Sequence, residues 1–101
     1  ERKIVAIIRA LMSNPTLILL DEPTEGVSPL VAKRIYEVMS MMKEQGLTLV
    51  VVEQGTRFSF VRRLADRLLI MVNGRIVFET TKDRVEAELD AINSYLGMGK
   101  V

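Results

Sequence analysis

Cysteine and histidine are both absent from these 101 residues. Without cysteine there is no disulfide framework, and without either residue there is no ordinary zinc site and no histidine-based catalytic triad. An excess of charge of either sign is also lacking. Fourteen basic residues face thirteen acidic ones and are scattered along the chain, so a nucleic-acid-binding or polybasic membrane-surface role finds no support. No apolar run approaches the ~20 residues that a membrane-spanning helix needs, and no signal peptide is expected; any membrane association is expected to go through a partner. Internal repeats, low-complexity tracts and linkers are missing too. What remains is a chain that is 49% hydrophobic, the size of one small domain with a core of its own, and we expect a single domain over residues 1–101. It begins at Glu1 with an amphipathic pattern already running by Ile4, so it is expected to be a piece of something longer.

The densest chemical information lies in Leu17-Ile18-Leu19-Leu20-Asp21-Glu22-Pro23. Four consecutive apolar residues describe a strand buried on both faces, as in a parallel sheet flanked by helices, and ligands of such folds bind just beyond the strands' carboxyl ends. Asp21 and Glu22 stand at that end. The run reads as a Walker B element, in which the first acid helps to hold Mg²⁺ on nucleotide phosphates and the second polarises an attacking water. The plainer alternative is a strand that ends in an Asp-capped turn stopped by Pro23.

Around this motif the periodicities alternate between helix and strand. Ile4, Ile7, Ile8, Leu11 and Met12 form the inward stripe of a helix that stops near Asn14-Pro15. After the strand, Pro23 to Pro29 is a loop and Pro29 opens a second helix. Val31, Ile35, Val38, Met39 and Met42 face a core, Met41 is taken as a core filler with its neighbours, and Gly46 is the C-cap. Leu47–Val52 is a second buried strand running into Glu53 and Gln54, parallel to the first through a right-handed crossover. A helix capped by Thr56 carries Phe58, Val61, Leu64 and Ala65 inward, and a third strand follows at Leu68–Val72. Asn73-Gly74 is the dipeptide of a two-residue type I′ turn, returning through Arg75–Phe78. A last helix spans Lys82–Leu96, with Val85, Leu89, Ile92 and Leu96 apolar and Gly97 closing it.

The string LILLDEPTEGVSP resembles the Walker B and D-loop stretch of ATP-binding cassette (ABC) ATPases, and VVVEQ, ending at Gln54, resembles that family's switch region. The order of motifs over nearly the whole chain is that of the C-terminal half of the nucleotide-binding subunit of ABC transporters. TEGVSP, the Glu53-Gln54 pair where most members carry a histidine, and Tyr95-Leu96-Gly97 are similar to the branched-chain amino-acid importers, with urea importers close by. The resemblance implies an α/β fold: part of the P-loop NTPase architecture, three-layered, with a mostly parallel sheet, a C-terminal hairpin and helix, and no Walker A strand. It implies Mg²⁺ at Asp21, a general base at Glu22, and a switch residue at Gln54. Glutamine is both donor and acceptor without changing charge, so Gln54 would orient and not transfer a proton; the plainer alternative is that it caps the next helix. Gly26, Val27 and Ser28 would be the D-loop that reaches a partner subunit, with Ser28 where most members have aspartate. The implied cofactors are ATP and Mg²⁺. The implied partners are a second ATP-binding subunit and membrane-spanning permease subunits, at the cytoplasmic face of the cell membrane.

No GxxxxGK[ST] string occurs in the chain, so the loop that holds phosphates is missing, and of the glycine-rich family signature only a last residue, Glu1, would remain. The acids without that cradle are expected to support no ATPase activity and to bind Mg·ATP at about millimolar affinity or weaker. The missing strand belongs between the second and third strands. Its slot is expected to be closed by pairing of those strands, by exchange between two copies, or by the rest of a parent chain, and the isolated piece is expected to self-associate.

Overall fold

The computed structural model describes residues 2–98. The order is α1 (Arg2–Leu11), β1 (Leu17–Asp21), α2 (Pro29–Glu44), β2 (Thr48–Val52), α3 (Phe58–Leu64), β3 (Arg67–Val72), β4 (Arg75–Thr81) and α4 (Leu89–Met98), with short 3₁₀ turns ahead of α3 and α4. Glu1, the expected remnant of the family signature, lies outside the described residues. The chain forms two compact units, Glu1–Gln54 and Gly55–Val101.

In the first unit β1 and β2 are parallel and in register from Leu17 opposite Thr48 to Asp21 opposite Val52. The link between them is α2, and its ends are chemically determined. Ser28 is extended and its hydroxyl accepts the Val31 N–H at 3.3 Å, with Pro29 in the first turn, where a missing donor costs nothing. At the other end Gln45 is the C-cap and Gly46 follows it at φ 92°. The Gly46 N–H donates to Lys43 O and the Leu47 N–H to Met42 O, the two bonds of a Schellman motif. The helix buries Ala32, Ile35, Tyr36, Met39 and Met42 and packs on β2, while Ile7 and Ile18 are buried from α1 and β1. Met41, expected inside, is exposed, because it falls off the stripe that its neighbours occupy.

Three further expectations are corrected. Helix α1 ends at Leu11, so Met12 lies in the turn beyond it and is exposed, and Ile8 is half exposed. The bend comes from Asn14, which adopts φ 54° and donates its N–H to Leu11 O. The apolar strands are not covered on both faces: Leu17 (49%), Leu19 (71%), Val50 (49%) and Val52 (52%) remain exposed. Side chains alternate along a strand, so these four line one side of the pair, while Ile18, Leu20, Leu49 and Val51 on the other are buried or half-buried. The run of apolar residues specifies two faces that shun water, and the described chain covers only one.

The second unit is built on the antiparallel pair β3–β4. Its turn is Asn73 (φ 51°) and Gly74 (φ 77°), both left-handed as a type I′ turn requires, with a bulge between Ile70 and Met71. Leu68, Val85 and Ile92 are its buried centre, joined by Phe58, Val61, Ala65, Ile70, Phe78, Leu89 and Leu96. Arg57, not Thr56, is the N-cap of α3 and makes no side-chain cap bond. The tail starts as a turn and a 3₁₀ segment, Glu86–Glu88, before α4, and Gly97 lies inside that helix instead of closing it. On the hairpin surface Arg67 and Glu79 form an ion pair at 2.6 Å; that hydrogen bond, more than the Coulomb attraction, holds the Glu79 carboxyl below and the Arg67 guanidinium above its ordinary range. Among the described residues β2 pairs only with β1, and β3 only with β4, so pairing of the second strand with the third is not how this chain meets its missing strand.

Candidate functional site

Parallel register brings the two expected motifs together. Asp21 ends β1 directly beside Val52, which ends β2. The next residue, Glu22, donates its N–H to Val52 O at 2.7 Å, which carries the pairing one step past the last ladder residue. Gln54 follows Val52 by two positions. The acid pair and the amide therefore leave neighbouring strands at the same end, in the place where α/β sheets bind ligands. Asp21 and Gln54 are exposed and Glu22 is half-buried. The N-cap position of α3 is Arg57, which makes no side-chain cap bond, so that position does not fall to Gln54.

Glu22 is held in an unusual backbone state. Its φ is 48°, a left-handed conformation that costs a residue with a side chain roughly 1–2 kcal/mol. Bonds on both sides of the residue maintain it: the N–H to Val52 O, and the carbonyl that accepts the Glu25 N–H at 3.1 Å and Lys3 Nζ at 3.2 Å. Such strain persists where the surroundings over-determine it, and it clusters at functional sites. Pro23 and Thr24, which follow, are buried, so the tip turns back into the unit at once.

Sequence reasoning passed over Glu53. It is half-buried, and one of its oxygens, Oε2, accepts both the Thr24 hydroxyl and the Tyr36 hydroxyl, each at 2.7 Å. The alternation of the strand provides the only hint, since it turns Glu53 away from the side on which Val52 lies. Gly26, Val27 and Ser28 complete the loop that begins at Glu22. Gly26 has φ 73° with open space where a Cβ would stand, Val27 is half-buried and donates its N–H to Thr24 O, and the Ser28 hydroxyl is engaged as the cap of α2.

The donor set limits what the tip can hold. Among the described residues no group of three acidic, histidine or cysteine side chains is placed to enclose a metal ion. Mg²⁺ commonly takes one or two carboxylates and fills its remaining positions with phosphate oxygens and water, and an exposed Asp21 fits that incomplete role. A half-buried carboxylate next to it, acceptor-only when ionised, is suited to orient a water.

No protein-family model matches the chain. In sequence it is 38% identical over 97 residues to the high-affinity branched-chain amino acid transport ATP-binding protein BraG of Pseudomonas aeruginosa, a match covering 96% of this chain and 41% of that protein. It is 35% identical over 99 residues to the glutamate transport ATP-binding protein GluA of Corynebacterium glutamicum, covering 96% and 40%. In structure it matches a nucleotide-free ATP-binding cassette from an ABC transporter with a TM-score of 0.76 at 36% identity, over 91% of this chain and 34% of that one. A cassette of an ABC transporter in its ADP conformation matches with 0.74 at 34% identity, over 94% and 38%. The chain thus spans about 40% of the length of the curated relatives it matches, and no helix among its described residues is long and apolar enough to cross a membrane.

Proposed function

We infer, from the premise that this chain is a homologue of the C-terminal part of ABC transporter ATP-binding proteins and carries part of the ABC ATPase fold, that it supplies the carboxylate half of an ATP-hydrolysing site in an amino-acid importer. The observation that carries the reading is the parallel register that sets Asp21 and Glu22 beside the root of Gln54. Bound Mg·ATP would supply the phosphoryl group and the charge that makes it transferable. Asp21 would hold the Mg²⁺, directly or through a water. Glu22 accepts a hydrogen bond from water, orients it and takes its proton as the oxygen bonds to the terminal phosphorus and the bond from that phosphorus to the bridging oxygen breaks, releasing ADP. Gln54 offers its amide to the terminal phosphate and keeps the same charge throughout. Gly26, Val27 and Ser28 face a second ATP-binding subunit, and membrane-spanning permease subunits bring the assembly to the cytoplasmic face of the membrane. BraG and GluA point to amino acids as cargo; a urea-type importer is the neighbouring alternative.

Phosphoryl transfer depends on positioning and charge stabilisation, and the chain has no phosphate-binding loop of its own, so alone it turns over no ATP. The test is reconstitution. Co-expressed with the part of BraG that it does not match, the chain is expected to yield Mg²⁺-dependent phosphate release, reduced about a hundredfold or more by Glu22→Gln. An assembled complex that binds no Mg·ATP, or Glu22-dependent turnover by the chain alone, overturns the reading.

A second reading rests on the bare side of the β1–β2 pair. In it the isolated chain is a non-catalytic remnant that self-associates through that surface.

A further inference from the structure

We propose that Glu53 is a positioning residue for the Glu22 carboxylate and the Gln54 amide, an inference that rests on the reading of those two groups given above. Glu53 sits between the residue whose carbonyl receives the Glu22 N–H, Val52, and the residue expected to sense phosphate, Gln54. Its carboxylate reaches inward and accepts the hydroxyls of Thr24, in the loop two residues past Glu22, and of Tyr36, in the middle of α2. Thr24 and Tyr36 are buried, and hydroxyl-to-carboxylate bonds of this length are the strong, charge-assisted kind. One oxygen therefore ties three segments together: the end of β2, the loop that bears Glu22 and the D-loop, and the helix beneath them.

This tie has a definite task in the energetics of the tip. Glu22 stays left-handed only while both flanks of its peptide are held. The Val52 carbonyl holds the near flank; on the far one the Glu22 carbonyl accepts the Glu25 N–H and Lys3 Nζ, and Thr24 on Glu53 fixes the loop through which Glu25 returns. Releasing Thr24 lets the loop relax toward negative φ at Glu22, which re-aims its side chain, and it frees the root of Gln54 at the same time. Glutamine at position 53 retains an oxygen with two lone pairs for both hydroxyls, whereas leucine retains none.

The experiment compares the chain with its Glu53→Leu, Glu53→Gln and Thr24→Val forms, ¹⁵N-labelled, by amide hydrogen exchange, and then in the BraG reconstitution. Glu53→Leu and Thr24→Val are expected to speed exchange at the Glu22 N–H by about tenfold or more and to shift the Gln54 side-chain amide resonances. Amides of β3 and β4 stay as they were, and Glu53→Gln stays near the parent chain. In the reconstituted cassette, kcat falls by about tenfold or more with KM unchanged in Thr24→Val and Glu53→Leu, while Glu53→Gln keeps the parent kcat, a split that a general loss of folded protein does not produce. If Thr24→Val does not fold, Tyr36→Phe, which removes one oxygen from a ring kept in place, replaces it. Unchanged exchange at Glu22 in folded Thr24→Val, or an unchanged kcat there, overturns the proposal. A parent reconstitution without Glu22-dependent hydrolysis instead defeats the functional reading, and the exchange measurement alone then decides whether Glu53 holds the tip.

Discussion

Under the proposed function Glu22 carries two demands that conflict: a carboxylate for chemistry and a backbone conformation suited to glycine. Left-handed φ costs it roughly 1–2 kcal/mol, while a glycine there would give back roughly 0.5–1 kcal/mol through its freer unfolded chain. Glu22→Gly is therefore expected to stabilise the chain by about 0.5 kcal/mol in urea denaturation while abolishing Glu22-dependent hydrolysis in the reconstituted cassette. A destabilised variant would show that side-chain contacts of Glu22 outweigh its backbone strain. That the acid pair could be read from the sequence, and its strain could not, has a simple cause. Apolar run followed by Asp-Glu is a local pattern, and so is VVVEQ. The backbone state of Glu22 depends on Val52, and the carboxylate of Glu53 depends on partners 29 and 17 residues away in the chain. Beyond the alternation of the strand, nothing in the sequence near Glu53 distinguishes it from a solvated acid at a strand end.

At the level of elements, what was legible was what the ends encode. Pro29 and Gly46 bracket α2 through a missing donor and a left-handed φ, and Asn73-Gly74 fixes its hairpin by the same kind of backbone constraint; each acts within a few residues. Periodicity served less well wherever burial depends on what stands opposite. Met12 continues a helical stripe that the turn at Asn14 cuts short, and Met41 shares its neighbours' residue type but not their side of the helix. Ser28 shows how an element end and a site can share one residue, because the side chain expected to face a partner also caps α2. Ser28→Ala is expected to cost about 1 kcal/mol in thermal or urea unfolding. Ser28→Asp keeps the cap and adds a negative charge at the helix N-terminus, so it should match or exceed the parent stability, and it places in the proposed D-loop the residue expected there from the family resemblance. Equal losses in both variants would mean that the hydroxyl is held by something other than the helix.

For the molecule as a whole, the unfinished surface is the sheet side formed by Leu17, Leu19, Val50 and Val52. Contiguous apolar patches on soluble monomers mark contact sites or aggregation hazards, and here the patch adjoins a strand edge, the free side of β2, whose backbone groups can pair with another chain. The apolar runs were legible as surfaces meant to be covered on both sides; what covers the second side lies beyond any pattern within the runs themselves. In the absence of a covering segment, a second copy offers an identical apolar face and an identical open edge. The purified chain is therefore expected to elute above the mass of one chain in size exclusion with light scattering, with the excess growing with concentration. Leu19→Lys together with Val50→Lys places charge on the bare side without touching the buried one. Substitutions at such exposed positions usually change stability by no more than about 0.5 kcal/mol, so the double variant should remain folded and move toward a single monomer peak. A parent chain that is monomeric at high concentration removes the self-association reading. Association that survives both lysines moves its origin from the sheet face to the open edge of β2, where a proline substitution is the natural next probe, since it removes the donor on which edge pairing depends.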